Sequence, residues 1–135
     1  MRDKELAKQI ENKYNLLSYP NISIISVITI GEIKSIALQN NWGETRTLRL
    51  DELIKQFLIA DINAENIINK YAEIDTYSQG KNKDKRLIIS SRNMGKNDLW
   101  IAATASVLNA TLITTDNDFT HLQNEYLDLI KINIL

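Results

Sequence analysis

Two kinds of hydrophobic pattern alternate along this chain of 135 residues. Stretches with apolar side chains every three or four positions predict amphipathic helices, and short apolar runs rich in β-branched residues predict strands. The predicted helices cover 3–18, 29–39, 45–57, 64–79 and 98–109, and the predicted strands cover 22–27, 58–62, 110–115 and 128–134. This alternation predicts an α/β fold, in which helices cover both faces of a mainly parallel central sheet in a three-layer α/β/α arrangement.

Composition limits the chemistry that the chain can perform. It has no cysteine and one histidine, which excludes disulfides, zinc ribbons and thiol catalysis and leaves little scope for histidine chemistry. No apolar run approaches the roughly 18 residues of a membrane span, and the first residues lack a signal-peptide core. We therefore expect a cytoplasmic protein without membrane contact. The net charge of −1 gives no overall attraction for nucleic acid, so any such attraction must be local.

Three acidic residues lie where predicted strands lead into the next element. Glu32 follows the first strand, in the first turn of its helix, Asp98 lies in the first turn of an almost wholly apolar helix, and Asp116 directly follows strand 110–115. Active groups of parallel sheets collect beyond the carboxyl ends of the strands, so we expect these carboxylates to converge. Each also has a structural explanation, since acids complement helix N-termini and aspartate is common in turns.

Clustered carboxylates without histidine or cysteine favour hard cations, so the expected cofactor is Mg²⁺ or Mn²⁺. The chemistry that suits such a cluster is phosphodiester hydrolysis, in which the metal activates a water and stabilises charge on the phosphate.

Two segments resemble PIN domains of the VapC toxin type, which are ribonucleases. They are ISVITIGEI at 25–33 and NMGKNDLWIAATASVLNATLITTDNDF at 93–119. The resemblance implies that Glu32, Asp98 and Asp116 are the catalytic acids and hold Mg²⁺ or Mn²⁺. It also implies a nearby hydroxyl at Thr114 and a less constant acid at Asp118, for which a turn or capping role is an open alternative. The implied partners are an RNA substrate, a cognate antitoxin and a second copy of the chain in a homodimer.

The N-terminus departs from the family pattern. Such domains usually open with a hydrophobic strand that ends in an Asp-Thr-Asn-like turn, whereas MRDKELAKQI resembles the helix after that turn. We therefore expect residues 1–135 to form a single PIN-like domain that is shortened at its N-terminus and binds metal more weakly. The main alternative is a catalytically impaired PIN-like module for binding or dimerisation. A sugar-nucleotide transferase, suggested by Asp116-Asn117-Asp118, has little support because this pattern is common.

A basic segment precedes the Asp98 helix. Between residues 81 and 96 it contains six basic residues and one acid, Asp84. A solvated loop is the ordinary explanation, and a phosphate-guiding role is the functional one. The predicted RNA contacts are Lys83, Lys85, Arg86, Arg92 and Lys96.

Overall fold

The computed structural model describes residues 2–133, and for residues 2–4 and 6 the backbone alone. The chain divides into two compact units, Met1–Ala60 and Asp61–Leu135. The first contains α1 (Arg2–Tyr14), β1 (Ile24–Ser26), α2 (Val27–Gln39), α3 (Glu44–Ile54) and β2 (Leu58–Ala60). The second contains α4 (Glu65–Ser78), α5 (Lys96–Val107), β3 (Thr111–Thr114), a 3₁₀ helix (Asn117–Leu122) and β4 (Asp128–Lys131). Helices and strands follow one another in the predicted order.

Every strand pair among the described residues is parallel, as predicted. In the first unit β1 pairs with β2, with Ile24 opposite Leu58. In the second unit β3 pairs with β4, with Thr111 opposite Asp128. Each pair forms a two-stranded sheet. Helices therefore alternate with parallel strands in both units, which is the α/β class that the sequence predicts.

The strands of the first unit are shorter than predicted, and side chains turn the backbone at their C-terminal ends. The Ser26 hydroxyl accepts a hydrogen bond from the backbone N–H of Ile28, which starts α2 at Val27. After β2, the carboxylate of Asp61 accepts from the backbone N–H of Ile62, which ends the strand at Ala60.

The Ser26 cap corrects the predicted position of Glu32. We expected α2 to begin at Thr29, with Glu32 in its first turn, but the helix begins at Val27 and has no acidic residue in that turn. Glu32 therefore lies in the second turn, with an exposed side chain.

Helix α1 also ends earlier than predicted. Its last residue is Tyr14, followed by Asn15 at φ 58°, in the left-handed region that asparagine tolerates better than most residues. The predicted last strand ends at Lys131, and its final predicted residue, Ile134, lies outside the described residues.

The hydrophobic core of the second unit is built around α4 and α5. Fully buried aliphatic side chains are worth roughly 1.5–3 kcal/mol each, so this core is the main source of the unit's stability. Its most deeply buried members are Ile74, Leu99, Ala102, Ala103 and Leu122. Helix α5 contributes apolar residues to this core, as its composition predicts.

The ends of α4 differ in how they are stabilised. At its start the N-cap residue is Ala64, and no side chain bonds there. At the other end Gly80 has φ 73°, and its N–H donates to the Tyr77 carbonyl at 3.0 Å. Glycine adopts this conformation without strain, so Gly80 ends the helix as predicted.

Across the described residues, every helix is too short or too polar to cross a membrane.

Candidate metal centre

Asp98 is held at the start of the buried helix α5. The helix begins at Lys96 after the N-cap residue Gly95, which places Asp98 in the first turn, as predicted. The next residue, Leu99, is 2% exposed and anchors this turn in the core. The Asp98 carboxylate is therefore partly buried beside the positive end of α5, a position that favours a negative charge.

The second acidic segment begins at Asp116, two residues after the end of β3. Asp116 is the N-cap residue of the 3₁₀ helix, and its Oδ1 accepts a hydrogen bond from the backbone N–H of Asp118 at 2.9 Å. The backbone N–H of Asp116 in turn donates to Oγ1 of Thr114 at 3.1 Å. Farther along, Phe119 and Leu122 are buried and attach the 3₁₀ helix to the core. The predicted hydroxyl at Thr114 thus orders the backbone that carries the acids.

Asp98, Asp116 and Asp118 come together in the second unit. One carboxylate oxygen from each lies within 4.8 Å of those of the other two. Mg²⁺ takes oxygen ligands at about 2.0–2.1 Å, so neighbouring ligands of one ion lie roughly 3–4 Å apart. Small side-chain rotations would close the remaining gap. Asp116 and Asp118 are exposed, which leaves room for the waters that such ions retain.

The donor set fits a hard divalent cation. Three carboxylates supply oxygen ligands and up to three negative charges, and a cation would offset their mutual repulsion. Asp118 was expected to be a secondary acid, with a turn or capping role as the alternative. The structure gives the capping role to Asp116 instead and places Asp118 in the acidic group. The sequence signal for this grouping is the two-residue spacing of Asp116 and Asp118, a pattern that is also common in turns.

Glu32 lies in the first unit, on the exposed surface of α2. Its participation in the metal centre stays a prediction.

The basic side chains of the segment 81–96 differ in their exposure to solvent. Lys83, Arg86 and Lys96 have exposed side chains. Lys85 is half-buried, since its Nζ donates to the Glu125 carbonyl at 2.7 Å. The same ammonium lies 4.2 Å from the centre of the Tyr126 ring.

The backbone of Arg92 also contacts a buried residue of the second unit. It is half-buried, and its backbone N–H donates to the Ser78 carbonyl at 2.8 Å. A phosphate at Lys85 would have to compete with the internal contacts of its ammonium, whereas Lys83, Arg86 and Lys96 present their charge to solvent. This division was not visible in the sequence.

The two tryptophans have different surroundings. Trp100 packs against the core cluster, with its ring centre 4.3 Å from that of Tyr71. Trp42 is covered by the Arg46 guanidinium, which lies 3.8 Å from the ring centre.

A buried polar pair lies within the second unit, among residues that sequence reasoning did not select. The Nε2 atom of His121 is 2.7 Å from Oγ of Ser78, and both side chains are buried. Burial and, to a smaller extent, the charge of Arg92 together lower the pKa of His121 to about 4. The imidazole is therefore neutral at physiological pH.

Comparison with protein families shows a match to the PIN domain over residues 1–125. The PIN fold is a three-layer α/β/α arrangement, which confirms the predicted fold class, and PIN domains are generally metal-dependent nucleases. Comparison with curated proteins finds no similar sequence.

Proposed function

The chain belongs to the PIN domain family, and on this premise we propose that it is a metal-dependent endoribonuclease that acts in the cytoplasm as the toxin of a toxin–antitoxin pair. The observation that supports this most directly is the group formed by Asp98, Asp116 and Asp118. The VapC-type assignment rests on the resemblance of residues 25–33 and 93–119 to that class.

In this proposal the three aspartates hold Mg²⁺ or Mn²⁺, and the VapC-type resemblance alone supports Glu32 as a further ligand. A bound divalent ion would supply the charge that activates a water and stabilises the phosphate. The chain's own contribution is to hold the carboxylates in place. Helix α5 holds Asp98, and the capped turn after β3 holds Asp116 and Asp118.

We further propose that Lys83, Arg86 and Lys96 contact the RNA backbone. Their exposure and positive charge support this, because phosphate contacts supply most of the non-specific affinity for nucleic acid. Lys96 is the first residue of α5, two residues before Asp98. RNA bound at Lys96 would therefore lie beside the acidic group.

An antitoxin and a second copy of the chain are the proposed protein partners, and the VapC-type resemblance is what supports them. Size-exclusion chromatography with light scattering would measure the oligomeric state. A monomer at all concentrations would contradict the homodimer.

The decisive test is cleavage of single-stranded RNA in the presence of Mg²⁺ or Mn²⁺. We expect cleavage by the unmodified chain, loss of cleavage when EDTA is added, and at least a hundredfold slower cleavage by Asp98→Asn and by Asp116→Asn. Asp128→Asn is the matched control, since Asp128 is an exposed aspartate outside the acidic group. Full activity in both site variants would contradict the proposed centre.

The same assay separates the enzyme from the impaired binding module. Absence of cleavage together with retained RNA or partner binding would favour the module. Glu32→Gln tests the fourth carboxylate, with Glu44→Gln as the control on the neighbouring helix α3.

A further inference from the structure

The hydroxyl of Ser78 is a buried junction between three chain segments. Ser78 is the last residue of α4 and is 0% exposed. Its Oγ contacts Nε2 of His121 at 2.7 Å and donates to Sδ of Met94 at 3.3 Å. Its carbonyl accepts from the backbone N–H of Arg92 at 2.8 Å. One residue thus holds both the end of the basic segment and the 3₁₀ helix.

The segments that meet at Ser78 are those that carry the acidic group. Met94 directly precedes Gly95, the N-cap residue of the helix that carries Asp98. His121 belongs to the 3₁₀ helix whose N-cap is Asp116 and whose first turn contains Asp118. The Ser78 hydroxyl therefore links the entry to α5 with the 3₁₀ helix.

The single proton of the Ser78 hydroxyl links its two contacts to the imidazole tautomer. A serine hydroxyl has one proton, and when it points to Met94 Sδ, the N–H at Nε2 of His121 is the donor to Ser78 Oγ. The other nitrogen, Nδ1, is then unprotonated, and it is buried without a hydrogen-bond partner in the described residues. The imidazole thus has one polar contact, and that contact is Ser78.

We propose that Ser78 and His121 are positioning residues, which hold the 3₁₀ helix and the start of α5 at the separation that brings Asp98 together with Asp116 and Asp118. The inference rests on the proposed metal centre. Residues behind the ligands commonly set metal affinity by orienting the ligands, and their loss typically weakens binding 10- to 100-fold. Neither Ser78 nor His121 is a metal ligand here, and both act through the backbone that carries the aspartates.

The competing explanation is an ordinary polar pair inside the core. That explanation predicts a loss of stability when the pair is broken, but no loss of metal affinity beyond that of an equally destabilising apolar substitution. Ile74→Val provides this comparison, because Ile74 lies one turn earlier on α4 and is 0% exposed.

The experiment measures Mn²⁺ affinity by isothermal titration calorimetry, with thermal unfolding of the same samples. We expect Ser78→Ala and His121→Leu to raise the Kd for Mn²⁺ about tenfold. His121→Gln should stay within about twofold of the unmodified chain, because the glutamine amide can donate from the position of Nε2. Ile74→Val should lower the melting temperature without changing the Kd.

A second measurement does not depend on metal. The backbone N–H of Asp118 donates to Asp116, so its hydrogen exchange reports the order of the acidic turn. We expect this amide to exchange about tenfold faster in Ser78→Ala and His121→Leu than in Ile74→Val.

Equal changes in Kd and in Asp118 exchange for Ser78→Ala and Ile74→Val would overturn the inference. If the unmodified chain binds no Mn²⁺, the proposed metal function fails, and the exchange of Asp118 alone decides whether the pair positions the turn.

Discussion

Asp116 accepts a hydrogen bond from the backbone N–H of Asp118 at 2.9 Å, so the first acid of the turn caps the 3₁₀ helix that carries the second. This relationship couples the local fold to the proposed chemistry. The side chain that orders the turn also has an oxygen within 4.8 Å of those of Asp98 and Asp118. Structural and electrostatic contributions of Asp116 can be separated by choosing substitutions that remove one and keep the other.

Asp116→Asn keeps a side-chain oxygen for the cap but removes the charge, and Asp116→Ala removes both. We expect the alanine variant to be less stable than the asparagine variant by about 1 kcal/mol, the usual value of an N-cap hydrogen bond. Both variants should bind Mn²⁺ more weakly than the unmodified chain. Urea unfolding and calorimetry measure the two effects, and equal stability of the two variants would show that the cap contributes little.

The single histidine predicts a loss of stability at mildly acidic pH. The pKa of His121 is lowered from 6.5 to about 4 in the folded chain, first by burial and then by Arg92. Below pH 6.5 the unfolded state takes up a proton that the folded state excludes until about pH 4. This contribution to stability is therefore complete above pH 6.5 and is lost as the pH falls toward 4.

By pH 5 the loss should amount to roughly 2 kcal/mol, measured by urea unfolding at about pH 7.5 and about pH 5. His121→Gln is the control, because it keeps a donor to Ser78 and has no imidazole to titrate. The same pH dependence in both proteins would assign the effect to the carboxylates instead.

Lys85 and Lys83 should differ in their effect on stability although they are two residues apart. Lys85 donates to the Glu125 carbonyl and lies over the Tyr126 ring, whereas Lys83 is exposed. Burial, together with nearby carboxylates, raises the pKa of Tyr126 to about 12, so its ring stays neutral beneath the ammonium. We expect Lys85→Ala to lower the free energy of unfolding by about 1 kcal/mol and Lys83→Ala to change it by less than about 0.5 kcal/mol. Chemical denaturation of both variants checks this difference.

RNA binding should depend on the exposed cations of the basic segment. Lys83→Glu combined with Arg86→Glu should weaken binding of single-stranded RNA, with the larger effect at low salt. The slope of log affinity against log salt should fall by roughly 0.7 for each phosphate that the variant no longer neutralises. The control is Lys55→Glu on the first unit, where the lysine side chain is 72% exposed. Fluorescence anisotropy over a salt series measures both, and an unchanged slope in the double variant would contradict the assignment.

Local features of the candidate centre were readable from the sequence. The apolar helix predicted over 98–109 places Asp98 in its first turn, and the β-branched run 110–115 places Asp116 directly after a strand. The first turn of a helix and the end of a strand are set by periodicity and backbone preferences over a few residues. Errors in the predicted boundaries of these elements were small. At the start of α2, for example, the Ser26 cap places Glu32 in the second turn of the helix rather than the first.

Other features were decided by the tertiary structure alone. The spacing of Asp116 and Asp118 is compatible with either a turn or a ligand pair, and only packing against the start of α5 brings both near Asp98. Lys85 meets Glu125 across 40 residues, and Ser78 meets His121 across 43. Nothing in the local pattern encodes such partners, because they depend on which buried faces pack together. The sequence by itself thus determined the elements and the acids at their ends, and the packed core decided which of those acids lie together.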